Sequence, residues 1–258
     1  MDNKKCWICG NIADSGEHGV KKSNFKTLFG SVGPYIGGNE LCLVSEHGQR
    51  TIQSANSKYL KFDVLCQNCN TTKTQPFDKA YEKFITYIHT YGKDILHKRF
   101  IDFAMIYGEN WREEQVNLYK YLVKSFGCRL ARFNHPIPQD MIDLFDKTTF
   151  ETGLRITFAV NEDKVTFGQI DKSICGLGHG DIDVNQSYID GTNSILFYTY
   201  SEFYDWLHIY YWYDYQPDGN LGSTWVADNQ FIYLGSFFSS LNNKQREKFI
   251  LKAKERCR

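Results

Sequence analysis

The chain has 258 residues, of which 42% are hydrophobic and 23% are charged. This composition allows one large or two small domains with a buried core, and it excludes a disordered chain. No apolar run approaches the roughly 18 residues of a membrane-spanning helix. The first residues carry cysteines and acidic side chains where a secretory signal needs an apolar core. We therefore expect a soluble, cytoplasmic protein that has no membrane partner.

The charges balance overall but not along the chain. Basic and acidic residues number 30 each, yet residues 1–133 hold 19 basic and 13 acidic residues, a balance of +6. Residues 134–258 hold 11 and 17, a balance of −6, and within them the stretch 134–241 has 4 basic against 15 acidic residues. The first part therefore suits a polyanionic partner, whereas residues 148–258 suit a protein partner or a regulatory ligand.

Cysteine spacing indicates a metal site rather than disulfides. Without an export signal, thiols are expected to stay reduced and free for metals or chemistry. Four of the eight cysteines form two C-x2-C pairs, Cys6 with Cys9 and Cys66 with Cys69. Two such pairs are typical of a closed tetrahedral zinc site, with a redox pair as the alternative. The others stand alone and are expected to be small buried apolar residues: Cys42, Cys128, Cys175 and Cys257.

Residues 1–78 are rich in turn formers and short alternating runs. The alternation predicts three short strands, at 41–44, 50–53 and 59–65. The second cysteine pair follows the last of them and should begin a short helix that ends at Pro76. Asp78 is placed to cap the next helix. Zinc would pin this turn to the first cysteine pair.

The hydrophobic period becomes helical at residue 79 and strand-like after residue 147. Apolar residues recur at three- and four-residue steps up to Phe133, and a short helix at 139–147 follows a break at residues 135–138, so 79–147 is predicted to be a helical segment. Residues 148–258 are predicted to form an acidic, aromatic-rich sheet, followed by a helix at 242–256. Its antiparallel strands are predicted at 154–160, 165–170, 194–200, 206–213 and 231–234. The fold class is therefore α+β, with an N-terminal zinc module, central helices, and a C-terminal antiparallel sheet with a terminal helix.

Between the two cysteine pairs, the acidic residue Glu17 directly precedes His18 in the sequence Gly16-Glu17-His18. Two lysines and a serine follow at 21–23. Asn70 follows the fourth cysteine directly, and Lys73 and Asp78 come next in the pattern. With these features the chain resembles the His-Asn-His (HNH) endonucleases, which carry a ββα-metal active site on a treble-clef zinc fold. The resemblance covers residues 1–78.

The resemblance implies a metal-dependent endonuclease that hydrolyses phosphodiester bonds in DNA, with RNA as an alternative substrate. It makes His18 the general base that activates water, a role that suits an imidazole near neutral pH. It makes Glu17 and Asn70 ligands of a catalytic Mg²⁺ or Mn²⁺, beside a structural Zn²⁺ on the four cysteines. Such nucleases are similar to components of bacterial and phage defence systems. Nucleic-acid contacts are expected from nearby lysines: Lys21, Lys22, Lys26 and Lys73.

The chain departs from the family pattern in two places. The family's middle asparagine, which orients the base, is missing just before Cys66, and Asn56 is the nearest upstream candidate. The 56 residues between Cys9 and Cys66 are also long, so we expect an added hairpin. The alternative function is a catalytically inactive, zinc-stabilised module that binds nucleic acid or protein. Further candidate substrate contacts lie on the central helices: Lys93, Lys98, Arg99, Arg129 and Arg132.

Overall fold

The computed structural model of the protein contains both helices and sheets, so the fold is α+β as the sequence predicts. The structure describes residues 4–35, 41–45, 48–148, 150–170, 177–179, 182–189, 192–215, 224–238 and 242–256. Within these stretches, no helix combines the length and the apolar character that crossing a bilayer requires.

The N-terminal segment holds four short strands and one helix: β1 (Ser15–His18), α1 (Lys22–Phe29), β2 (Leu41–Ser45), β3 (Gly48–Ile52) and β4 (Lys61–Leu65). β1 pairs antiparallel with β4, so that Glu17 lies opposite Phe62 and His18 lies opposite Lys61. β2 and β3 form a separate antiparallel hairpin between the cysteine pairs, as expected. β1 and α1 are not evident in the sequence, because β1 has no apolar alternation and α1 is only eight residues long.

The helix after the second cysteine pair does not end at Pro76, so that prediction is wrong. A five-residue π-helical turn, Cys69–Lys73, leads into α2 (Gln75–Thr90), and Pro76 lies in the first turn of α2. Proline is tolerated there because the N–H that it lacks would have no partner within the helix. Asp78 lies in the same turn and does not cap the helix; its carboxylate pairs with Lys21 and Lys124 instead.

The helical segment predicted for 79–147 is found. It continues with α3 (Gly92–Lys98), β5 (Phe100–Asp102), α4 (Phe103–Tyr107), α5 (Trp111–Arg132) and α6 (Gln139–Asp143). α5 is 22 residues long and is buried on several faces. Tyr121 of α5 stacks on Tyr81 of α2 with ring centroids 3.9 Å apart, and Phe126 stacks on Tyr211 of the C-terminal sheet at 5.7 Å. α5 therefore packs against both α2 and the C-terminal sheet.

The C-terminal segment contains β6 (Leu154–Asn161), α7 (Glu162–Ile170), β7 (Leu177–His179), β8 (Asp183–Ile189), β9 (Thr192–Tyr204), β10 (Leu207–Asp214), β11 (Phe231–Tyr233), β12 (Gly235–Phe237) and α8 (Asn243–Arg256). The large sheet has the order β12-β6-β10-β9-β7, and β8 also pairs with β9. The pairs of β10 with β6 and with β9 are antiparallel, as predicted. The predicted terminal helix corresponds to α8.

Two predictions for this segment are wrong. Residues 165–170 lie in α7 rather than in a strand, because the side-chain oxygen of Asn161 accepts a hydrogen bond from the N–H of Lys164 at 3.1 Å. With Glu162 and Asp163 in the first turn, the four residues interpreted as a hairpin turn are the start of a helix. In addition, β11 pairs with β5 outside the large sheet, and β12 joins that sheet parallel to β6.

One cluster of buried side chains runs through all three segments. It includes Trp7 beside the first cysteine pair, Phe126 on α5 and Tyr200 on the sheet. A smaller cluster, which includes Phe25 and Ile52, lies between α1 and β3. The cysteine module, the central helices and the sheet therefore share a hydrophobic core, and the division into domains at residues 78 and 147 stays a prediction.

Candidate functional site

The two cysteine pairs come together, as their spacing predicts. The sulfur atoms of Cys6, Cys9, Cys66 and Cys69 all lie within 4.8 Å of one another, and those of Cys9 and Cys66 are 3.5 Å apart. Sulfurs about 2.3 Å from a tetrahedral zinc ion lie about 3.8 Å from each other, so this set fits such an ion. Three of the thiols are buried and Cys9 is exposed. The four cysteines could therefore hold a metal ion such as zinc.

Local hydrogen bonds shape both cysteine turns. The N–H of Gly10 donates to the carbonyl of Cys6 at 2.8 Å, and Gly10 has a φ of +77° that favours glycine. In the second turn, the N–H of Cys69 donates to the sulfur of Cys66 at 3.5 Å. N–H groups directed at a sulfur stabilise its thiolate form, which is the form that binds metals. The second turn therefore favours the thiolate form of Cys66.

Trp7, which lies between two of the cysteines, fastens the cluster to α5. Its ring packs so closely on Gly127 that a Cβ at that position would lie 2.5 Å from the Trp7 ring. Its Nε1 donates a hydrogen bond to the sulfur of Cys128 at 3.3 Å. Cys128 is buried, as expected of the lone cysteines, while the side chains of Cys42, Cys175 and Cys257 lie outside the described residues.

His18 ends β1, and one of its ring nitrogens has no partner. Burial, together with the positive charges of Lys22, Lys61 and Lys21, lowers the pKa of His18 to about 4, although a hydrogen bond with the side chain of Asn56 acts in the opposite direction. The imidazole is therefore neutral at pH 7. Its Nε2 is buried and makes no hydrogen bond with any described residue. Asn56 thus contacts the imidazole, and Nε2 is a buried ring nitrogen whose hydrogen-bonding capacity no described residue uses.

Glu17 points into a buried group of charges, which we call the charge cluster: Glu17, Asp78, Lys21 and Lys124. The Lys124 ammonium lies 3.2 Å from the Glu17 carboxylate and 3.1 Å from that of Asp78. Lys21 lies 2.7 Å from Asp78 but 3.9 Å from Glu17. Burial alone would lower the pKa of Lys124, but the charges of Glu17 and Asp78 raise it above its ordinary value. The cluster therefore holds two positive and two negative charges.

Asn70 lies on the π-helical turn, next to β1. Its side-chain N–H donates to the hydroxyl of Ser15 at 2.9 Å, and its backbone N–H donates to the carbonyl of Cys66 at 2.9 Å. Because donation uses only the amide nitrogen, the amide oxygen is the atom that could face a cation. Ser15, Glu17 and His18 lie on the same four-residue strand. Asn70 and the Glu17–His18 pair are therefore attached to a common element.

The predicted nucleic-acid contacts differ in their exposure. Lys22 and Lys26 on α1 are exposed. Lys73 is partly exposed and pairs with Asp146 at 2.7 Å, while the ammonium of Lys21 is directed into the charge cluster. On the central helices, Lys93, Lys98 and Arg132 are exposed, Arg99 pairs with Glu162, and Arg129 is buried.

Arg129 links the sheet to the residue after His18. Its guanidinium donates to the carbonyl of Gly19 at 2.8 Å, to the hydroxyl of Tyr200, and to the carboxylate of Glu202 at 3.4 Å. The ring of Phe62 is also so close to Gly19 that a Cβ there would meet it at 2.6 Å. The backbone beside the imidazole is therefore held between β4 and α5.

Sequence reasoning missed Lys124 and Ser15. The only sequence signal for Lys124 is a lysine that falls among the apolar residues of α5, next to Leu122 and Val123. Ser15 has no local signal, because its role depends on Asn70, which is far away in sequence.

Comparison with known proteins gives no match to this chain, since no family model, no curated protein and no solved structure is significantly similar. The geometry of the site is therefore the basis for any functional conclusion.

Proposed function

We propose that the protein is an HNH-type, metal-dependent endonuclease that hydrolyses phosphodiester bonds in DNA. The observation that carries the proposal is His18, whose neutral imidazole shares a hydrogen bond with Asn56 and has a buried, unpartnered Nε2. The order of elements supports it: a cysteine turn, the antiparallel pair of β1 and β4, then a second cysteine turn that opens a helix. This order is the one expected for a treble-clef module with a ββα site.

In this mechanism His18 is the general base. A neutral imidazole nitrogen can accept a proton from the water that attacks phosphorus, provided that it lies within hydrogen-bond reach. Asn56 holds the ring in one orientation. The clamp on Gly19 by Arg129 and Phe62 limits movement of the backbone beside it. The substrate phosphate would be attracted by the same lysines that lower the pKa of His18, mainly Lys22 and Lys61.

The donor chemistry of Glu17 and Asn70 fits a hard divalent ion, since both offer oxygen atoms. One Glu17 oxygen is bound to Lys124 at 3.2 Å, whereas the other lies 3.9 Å from the ammonium of Lys21, which is longer than a hydrogen bond. When bound by Glu17 and Asn70, Mg²⁺ or Mn²⁺ would stabilise the negative charge that develops on the scissile phosphate. Zinc on the four cysteines would hold the fold of the module.

DNA contacts are proposed for the exposed cations near β1. Lys22 and Lys26 lie on α1 directly after the Glu17–His18 strand, and Arg132 lies at the end of α5 with its guanidinium 6.0 Å from the centre of the Phe62 ring. These side chains can contact phosphates without reading bases. Lys21 and Lys73 contribute less, because carboxylates already engage their ammonium groups.

One observation favours a second candidate, a catalytically inactive, zinc-stabilised module that binds nucleic acid or protein. Glu17 is only 8% exposed, and its charge is balanced within the charge cluster. A carboxylate that serves only to neutralise a buried lysine needs no metal ion.

A plasmid assay separates the two candidates. Supercoiled DNA is incubated with the zinc-loaded protein in Mg²⁺, in Mn²⁺ and in EDTA. We expect nicking with the divalent ions and a loss of about 10²- to 10⁴-fold in His18→Ala. His89→Ala, which changes an exposed histidine on α2, is the matched control. Nicking by His18→Ala at the parent rate would place the base elsewhere, and no nicking by the parent under any condition would favour the inactive module.

A further inference from the structure

Lys124 reaches the proposed site from outside the cysteine module. It lies on α5, and its side chain is 0% exposed. The ammonium contacts one Glu17 oxygen at 3.2 Å, the two Asp78 oxygens at 3.1 and 3.2 Å, and the Thr74 hydroxyl at 3.1 Å. These three residues match the three donors of an ammonium group, so every N–H has an oxygen partner.

We propose that Lys124 is a positioning residue that fixes the Glu17 carboxylate beside His18; its catalytic consequence rests on the proposed function. Glu17 is buried and Asp78 is partly buried, and two neighbouring carboxylates repel each other unless a cation lies between them. Lys124 binds both Glu17 and Asp78, so it sets where Glu17 lies relative to the start of α2. Lys21 does not take this place in the described structure, because its ammonium lies 2.7 Å from Asp78 but 3.9 Å from Glu17.

A role in stability alone does not account for this arrangement. Burying an ammonium and two carboxylates is costly, and apolar residues of similar volume often stabilise a core at least as well. The same helix offers a comparison in Lys120, which is also buried. Its ammonium donates to the backbone carbonyl of Lys147 and lies 5.4 Å from the centre of the Phe77 ring, away from Glu17. α5 therefore carries two buried lysines, of which only Lys124 is bound to Glu17 in the described structure.

The test compares Lys124→Met, Lys124→Arg and Lys120→Met in the full-length, zinc-loaded protein. Mn²⁺ binding is measured from the electron paramagnetic resonance signal of free Mn²⁺, and nicking is measured against metal concentration. We expect Lys124→Met to bind Mn²⁺ about 10-fold more tightly, because a positive charge next to the Glu17 ligand is gone. We expect its rate at saturating metal to fall about 10²-fold, because the carboxylate is no longer held.

The controls separate positioning from folding. Lys124→Arg keeps the charge and should restore part of the rate, and Lys120→Met should match the parent in metal affinity and rate. A loss of folded protein would lower the apparent rate without tightening Mn²⁺ binding. Parent-like Mn²⁺ affinity and rate in Lys124→Met would overturn the proposal.

A second measurement covers a variant that fails to fold or a parent that neither binds Mn²⁺ nor cleaves. The unfolding equilibria of Lys124→Gln, Glu17→Gln and the double variant form a double-mutant cycle, in which each single substitution removes the ion pair. Coupling of about 5-fold or more in the unfolding constant would show that Lys124 holds Glu17, even if the proposed nuclease function fails. Independent effects of the two substitutions would overturn the positioning role.

Discussion

Replacing Gly127 with alanine tests whether Trp7 locks the cysteine cluster to α5. In an exposed helix, Gly→Ala stabilises by about 1 kcal/mol. Here the new Cβ would lie 2.5 Å from two atoms of the Trp7 ring and 3.0 Å from a third. Relief of such overpacking costs typically about 1–3 kcal/mol, and displacement of a buried tryptophan costs more. We expect a net destabilisation of about 1–3 kcal/mol.

Denaturant unfolding of the zinc-loaded protein, followed by circular dichroism, measures this free energy. Because Trp7 lies between Cys6 and Cys9, Gly127→Ala should also speed zinc release to a chelator. Gly235→Ala is the control, since nothing lies within 4 Å of a Cβ there. Adding Trp7→Phe to Gly127→Ala should recover part of the loss, because the smaller ring makes room. A Gly127→Ala protein as stable as the parent, or more so, would refute the close packing.

Three further outcomes are expected. Cys66→Ser should lose zinc, and much of residues 1–78 should unfold, because structural zinc contributes directly to folding. Elemental analysis of the purified variant measures the zinc content. An unchanged zinc content after removal of two of the four cysteines would contradict the assignment. Burial lowers the pKa of His208 to about 4, below the ordinary value of about 6.5. As the pH falls, His208 therefore takes up a proton in the unfolded chain before it does so in the folded protein. The free energy of unfolding should then decrease by up to about 3 kcal/mol as the pH drops from about 6.5 to about 4. The urea unfolding midpoints of the parent and of His208→Phe, measured at about pH 7.5 and about pH 5, check this: the midpoint should fall less in the variant than in the parent. An equal fall in both proteins would show that His208 does not titrate in this way. Deletion of residues 148–258 should give insoluble protein, because it removes one side of the shared core; a soluble fragment that unfolds cooperatively would show that the N-terminal part folds without the sheet.

The cysteine cluster and most helices were predictable because their signals are local. The spacing within a C-x2-C pair is the one that lets two cysteines bind the same tetrahedral ion, and the four sulfur atoms of the two pairs do lie together. The long helix α5 shows in its three- and four-residue apolar steps. In contrast, the segment from Asn161 to Lys164 suits either a hairpin turn or a helix start, and the structure shows a helix start with Asn161 bonded to the N–H of Lys164.

The charge cluster was not predictable, because it joins residues that are distant in sequence. Glu17, Asp78 and Lys124 lie on three separate elements, and no local pattern connects them. The Lys21-Lys22 dipeptide resembles an exposed phosphate-binding pair, yet only Lys22 is exposed, since Asp78 draws Lys21 inward at 2.7 Å. The ion pair with Asp78 therefore outweighs the ordinary preference of the Lys21 ammonium for solvent.

Three of the contacts that α5 makes with the N-terminal segment fall within six consecutive residues. Lys124 binds Glu17, Gly127 receives Trp7, and Arg129 binds the carbonyl of Gly19. Each residue inserted into a helix rotates all later side chains by about 100° around the helix axis. A one-residue insertion between Lys124 and Arg129 would therefore carry Arg129 off the face that meets Gly19, whereas a one-residue insertion after Arg132 would leave all three contacts in phase. If residues 1–78 were transplanted onto another protein, residues 124–129 of α5 would have to be transplanted too, with the same rotation about the helix axis.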